Sequence, residues 1–257
     1  MLIDTHAHLY SKQFNSDRAA MLQRAHTEGV KNLSFNEIMP IFALRNKIFH
    51  LKLNNMTNYA LSDKLFTVEE YIEFEEKSEI RHEFHEGHLY PIEATSRVHN
   101  EIIQNAVALI RPVFLKRGCK IYHENVKLQI YEKGKYIYPD VALTCDERDK
   151  TLPFIIKYPS LVIEVLSKST ASHDKTTKFE FYRSLPSVQY YLTVESRWQS
   201  VELYSRTEKK NVWTIQSYSE PTEIIEFPKL DFQITFEDLY QGLGLPKKLF
   251  IVRDDDE

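Results

Sequence analysis

The sequence predicts an α/β or α+β protein, a mixed β-sheet core flanked by helices. Three observations lead there. A long helix-period pattern, "SRVHNEIIQNAVALIRPVFLKRG", ends at Gly118 and is followed by strand-like runs. The stretch "SLVIEVLS" is almost continuously apolar, as a central strand covered on both faces would be. A short helical pattern over 174–184 then separates that strand from further strand-like runs near 188–195, 200–205 and 211–217.

Taken in order, residues 1–33 read as a short strand (Met1–Ile3), a polar turn, and a helix from about Asp17 to Glu28 closed by Gly29. Residues 34–56 mix apolar and basic side chains without capping or turn logic, and form an amphipathic helix or an unstructured connector. "TVEEYIEFEEKS" is a capped amphipathic helix, with Thr67 at the cap, Glu70 three residues on, and Tyr71 and Phe74 inward. "HEFHEGHLYPI" alternates about Glu86-Gly87 and reads as a hairpin, its Glu86 and histidines on the surface. The long helix turns Val98, Ile102, Ile103, Ala106, Leu109, Ile110 and Val113 to one face. Strands follow near 119–130 and 136–144, joined by "EKGK", and "TFEDLYQGL" makes a last small helix. The main domain is therefore expected over 57–245, after a non-core N-terminal extension and before an acidic tail, 246–257.

Composition sets the class. Hydrophobic residues make up 42% and charged residues 27%, which suits a globular chain with a real core. No stretch reaches the length of a membrane span, and "MLIDTHAHLY" lacks the basic and apolar regions of a signal peptide. A net charge of −4 argues against a nonspecific nucleic-acid coat, but not against an enzyme that meets DNA through a local patch and metal ions. Two cysteines, Cys119 and Cys145, are too few for a disulfide framework and lack zinc-binding spacing. They read as small buried hydrophobes, with the cytoplasm as the default compartment.

The chemistry concentrates in two runs. In "KYIYPDVALT", strand alternation puts Tyr138, Asp140 and Ala142 on one face; in "SLVIEVLS", Val162, Glu164 and Leu166 share a face. If the two strands are neighbours, Asp140 and Glu164 sit side by side. Two carboxylates in an apolar sheet are costly unless a cation joins them. Mg²⁺ or Mn²⁺, with oxygen ligands, would satisfy both and could activate a water toward a phosphate. The spacing alone also allows separate structural partners: Asp140 after a proline suits a turn, and Glu164 could pair with any neighbouring base.

Residues from about 62 to 205 resemble the Uma family of restriction-endonuclease-like proteins, within the PD-(D/E)xK nuclease superfamily. The resemblance is carried by "HEFHEGHLY", "SRVHNEII", "YPDVALT", "PSLVIEVLSKST" and "DKTTKFEFYRSLPSVQYYLTV", in that order. It implies a restriction-endonuclease-like fold and a Mg²⁺- or Mn²⁺-dependent endonuclease hydrolysing DNA phosphodiester bonds. Pro139-Asp140 supplies the first acid and Glu164 leads the tripeptide Glu164-Val165-Leu166. The tripeptide's lysine is replaced by Leu166, and the resemblance implies that Lys178, on the following helix, takes its role. Lys168, nearer in sequence, sits in the "SKST" loop and reads as solvated. Glu83 matches the glutamate preceding the family's hairpin glycine, and His99 a histidine at the start of the long helix. His99 could be a proton shuttle, a phosphate contact or a helix-start polar group.

The N-terminal "LIDTHAHL", with the helical stretch after it, resembles the opening of TatD-type metal-dependent deoxyribonucleases, in which His6 and His8 would be two metal ligands. Only about 33 residues carry that likeness, so a vestigial fragment is expected rather than a working (β/α)₈ barrel. Three functions remain open from sequence: the DNA endonuclease, acting alone or as a homodimer; a noncatalytic binding module that keeps the nuclease fold; and, least supported, a hydrolase using His6 and His8.

Overall fold

The computed structural model describes residues 64–92, 94–131, 134–209 and 211–247. The N-terminal strand, helix and connector, with His6 and His8, and all but the start of the acidic tail lie outside the described residues.

Helix α1, Val68–Lys77, starts where the sequence places it. The Thr67 side chain accepts from the Glu70 N–H, while the Glu70 carboxylate accepts from the Thr67 N–H. Strands β1, His82–His85, and β2, His88–Pro91, form the hairpin. Its two-residue turn needs positive φ at both positions, and Glu86 (51°) and Gly87 (91°) supply it. A Cβ at Gly87 would also stand 3.1 Å from Leu65 Cδ2, so that side chain would have to shift. Helix α2, Arg97–Lys116, is capped by the Ser96 hydroxyl on the His99 N–H.

The two long strands expected next are each broken. Residues 119–130 divide into β3, Lys120–His123, and β4, Lys127–Tyr131, because Glu124 and Asn125 both take left-handed φ (44° and 52°). Residues 136–144 divide into β5, Lys135–Ile137, and β6, Val141–Thr144. Pro139, which has no N–H to give a ladder, lies in that break. The halves belong to different sheets. One is five-stranded, in the order β2-β1-β5-β4-β7, with β7 at Ile155–Ile156. The other is six-stranded, β11-β10-β9-β8-β6-β3, with β8 at Leu161–Leu166, β9 at Tyr190–Glu195, β10 at Val201–Arg206 and β11 at Trp213–Tyr218. The core is thus two mixed sheets, not one. A further hairpin, β12 (Ile224–Phe227) with β13 (Phe232–Thr235), was not legible in the sequence; the last helix, α4, is Phe236–Leu239.

Strand β8 is buried along its whole length, and its two faces serve two cores. Leu161, Ile163 and Val165 pack with Ile102, Ile103, Ala106 and Ile110 of α2. Val162, on the other face, joins Phe181, Tyr182 and Tyr191 and the five-stranded sheet's Leu128 and Ile137. Each fully buried aliphatic side chain in these layers contributes roughly 1.5–3 kcal/mol, which fixes the register that places Glu164. Parallel β8 and β9 are joined by a helical segment, α3 (171–184), whose middle turn, Asp174–Lys178, is π-helical. No helix among the described residues is long and apolar enough to cross a membrane.

The cysteines depart from expectation. Cys119 and Cys145 flank the paired strands β3 and β6 in facing positions, and they form a disulfide. Cys119 is buried and Cys145 is exposed, so only the first behaves as the small core residue expected of both.

Candidate active site

Asp140 lies just before β6, and β6 pairs antiparallel with β8 through Val141↔Ile163 and Ala142↔Val162. One further step in that register sets Asp140 opposite Glu164, where facing side chains have Cβ atoms ~5 Å apart. The side chain of Asp140 reaches β8 directly, its Oδ2 accepting the Val165 N–H at 2.7 Å. The same oxygen is 3.3 Å from His99 Nε2, brought in by the first turn of α2. His99 therefore serves Asp140 rather than merely capping a helix.

Glu164, almost wholly buried, directs one oxygen to α3. Its Oε1 accepts from Lys178 Nζ at 3.0 Å and from the Tyr182 hydroxyl. Lys178 also lies 3.3 Å from Glu83 Oε1 and 3.6 Å from Asp174 Oδ1. The helical lysine thus stands among three acids, whereas Lys168 is exposed. Asp174, Lys178 and Tyr182 recur every four residues, and this spacing puts them on one helix face.

Glu83 uses both oxygens: Oε1 takes Lys178 and the Tyr138 N–H (3.4 Å), and Oε2 is 3.3 Å from His85 Nε2. Behind it, Glu75 of α1 is buried, accepting from the Tyr138 hydroxyl at 2.7 Å and the His82 N–H at 3.0 Å. His82 Nδ1 is 3.0 Å from the other Glu75 oxygen. This network ties α1 and β1 to the backbone just before Pro139-Asp140. It also corrects the surface reading of the hairpin histidines, because His82 is buried and His85 is nearly so. A buried Glu75 seven residues before a buried His82 carries no sequence signal, since the pairing depends on how α1 docks.

The electrostatics follow from crowding. Burial, then Asp140 and Asp174, push the Glu164 carboxyl well above the usual carboxylate range, against Lys178 and Tyr182. Asp174 is raised too, by burial and by Asp140 and Glu83. Burial would raise Glu83 likewise, but Lys178 and His85 hold it down at about 2. Burial also works against the Lys178 ammonium, yet Glu164, Glu83, Asp174 and Asp140 together keep it charged far above its ordinary range. Tyr182 is raised by burial and Glu164, so its hydroxyl stays a donor. Crowding four acids around one lysine is thus what raises Glu164 and Asp174, while Asp140 on one side has His99 and Glu83 on the other has His85.

These donors suit a hard divalent ion. Asp140 and Glu164 each commit one oxygen to protein donors, whereas Asp140 Oδ1 and Glu164 Oε2 accept no hydrogen bond from any described residue. No three His, Cys, Asp or Glu side chains among the described residues are grouped to hold a metal ion. Two carboxylates with water completing the shell is the usual Mg²⁺ arrangement.

Residues 68–237 match a family model described as "Uma2: Putative restriction endonuclease". The chain belongs to the Uma2 family. It is similar to the Synechocystis protein slr1290, 33% identical over 176 residues that cover 68% of this chain and 92% of that one. A second Synechocystis protein, sll1609, is 33% identical over 166 residues, 64% of this chain and 93% of its own. A crystal structure titled as a putative nuclease belonging to DUF820, from Anabaena variabilis, superposes with a TM-score of 0.55 at 17% identity, covering 68% of this chain and 97% of that one. The Uma2 chain thus has the mixed-sheet, restriction-endonuclease-like fold, and Glu83, His99, Asp140, Glu164 and Lys178 all fall inside the matched span. The N-terminal TatD-like stretch lies outside it.

Proposed function

We propose that this Uma2 protein is a Mg²⁺- or Mn²⁺-dependent endonuclease that hydrolyses DNA phosphodiester bonds. The observation carrying the reading is the Lys178 ammonium bonded to Glu164 from α3, with Asp140 opposite Glu164 in register. Asp140 Oδ1 and Glu164 Oε2 would hold the ion. When bound, the ion polarises a phosphate oxygen and lowers the pKa of a water.

The remaining roles belong to the chain. Val165 N–H and His99 fix Asp140, so its second oxygen is presented in one orientation. Lys178 Nζ donates to Glu164 Oε1 at 3.0 Å, and it pairs by charge with Glu83 and Asp174 at 3.3 and 3.6 Å. The ammonium N–H groups not given to Glu164 would orient the attacking water or meet charge developing on the phosphate. The buried sheet behind the acids excludes bulk water and strengthens each of these interactions.

Nicking of supercoiled plasmid with Mg²⁺, with Mn²⁺ and with EDTA tests the reading. Metal-dependent nicking that is lost in Asp140→Asn, Glu164→Gln and Lys178→Met would support it. A wild-type chain that binds DNA but leaves the plasmid intact with either metal would replace it with the noncatalytic binding module.

A further inference from the structure

We infer that Tyr182 is a positioning residue that selects which oxygen of Glu164 is offered to the metal; this rests on the metal-dependent reading above. Tyr182 lies four residues beyond Lys178 on α3 and is fully buried, its ring 5.0 Å from that of Tyr191 in the core between the two sheets. A phenylalanine would fill the same apolar space without burying a hydroxyl, which is costly unless bonded. Here the hydroxyl donates to Glu164 Oε1, the same atom that accepts from Lys178.

Two donors on one oxygen are not redundant. An ammonium is a compact charge on a flexible stem and would accept either carboxylate oxygen as its partner. A phenol held in a packed core is rigid, so it chooses. With Oε1 committed to Tyr182 and Lys178, Glu164 keeps Oε2 without a donor among the described residues. Asp140 is divided in the same way, with Oδ2 held by Val165 N–H and His99 and Oδ1 left. The two acids thereby present one oxygen each, a single-toothed geometry that suits the small octahedral ion better than two chelating carboxylates.

The experiment is calorimetric titration of the full chain with Mn²⁺ alone, comparing wild type, Tyr182→Phe and Tyr191→Phe. Tyr191 is an apt control, since its buried hydroxyl donates to the backbone carbonyl of Asp174 and not to a Glu164 oxygen. Loss of an outer-shell donor typically weakens metal binding 10- to 100-fold. Tyr182→Phe is therefore expected to raise the Kd for Mn²⁺ about tenfold, with Tyr191→Phe matching wild type and both variants melting cooperatively.

Equal or tighter Mn²⁺ binding by Tyr182→Phe would overturn the positioning role while leaving the proposed function standing. No Mn²⁺ binding by wild type would overturn both. A crystal structure of the Mn²⁺-loaded wild type decides the same point should Tyr182→Phe not fold. Oε2 on the metal with Oε1 still on Tyr182 supports the inference, and Oε1 on the metal refutes it.

Discussion

Replacing Lys178 with methionine keeps most of the unbranched apolar stem and deletes the ammonium with its charge and donors. The sequence suggests that this lysine can be lost without harm to folding, because the acids that would hold a metal remain. The structure argues otherwise. The ammonium lies 3.0, 3.3 and 3.6 Å from Glu164, Glu83 and Asp174. At an effective dielectric near 20, each contact is worth ~5 kcal/mol of attraction, most of it offset by desolvating the ammonium and the acids. Removing the cation leaves Glu164 with the Tyr182 hydroxyl and Glu83 with His85 and the Tyr138 N–H, but takes away the charge they share. Breaking a buried ion pair in this way typically costs about 3–5 kcal/mol. Lys178→Met should therefore lose plasmid nicking and also about 3–5 kcal/mol of stability in urea unfolding at neutral pH without metal. Lys168→Ala, in an exposed loop, should change neither. A loss under ~1 kcal/mol in Lys178→Met would refute the argument, because surface ion pairs already account for that much.

Three other outcomes are expected. Burial, helped by Lys178 and His85 and opposed by Glu83, pushes His173 down to about 4. The unfolded chain then binds the extra proton first, so stability should fall as pH drops from about 6.5 toward 4, and His173→Gln should flatten that decline in pH-dependent thermal melts; an unchanged slope would exclude this source. The Cys119–Cys145 link joins positions 26 residues apart, so reduction should cost about 3.5 kcal/mol by the loop-entropy estimate, and identical urea midpoints with and without reductant would contradict that. A chain beginning at Met56 should unfold with unchanged cooperativity, since the Uma2 match starts at residue 68; loss of soluble expression would show that the N-terminal residues have been recruited into the domain.

What the sequence made legible follows from how local each signal was. The Thr67–Glu70 capping box, the Glu86-Gly87 turn and the apolar stripe of α2 are each written within a few residues, and each formed as read. Glu164 was legible because a lone carboxylate in "LVIEVL" contradicts its surroundings and so demands a partner. The strand breaks were half legible. Pro139 argued against a continuous central strand, and Asn125 is a residue that tolerates left-handed φ, whereas Glu124 gave no warning of its own. Face assignment by alternation does not carry across 138–140, because the strand stops there. Asp140 is placed instead by the register of β6 on β8 and by the Val165 N–H. Asp174 and Tyr182 flank Lys178 at four-residue spacing, a pattern visible in "DKTTKFEFY" once one of the three is known to face the site. Glu75, His82 and the cysteine pairing required contacts between elements distant in sequence, and no local pattern reports those. The cluster is thus assembled from α1, β1, the first turn of α2, the turn before β6, β8 and α3, and only β8 announces its part in it alone. A charge surrounded by its opposites is found by folding the chain, while a charge surrounded by leucine and valine is found by reading it.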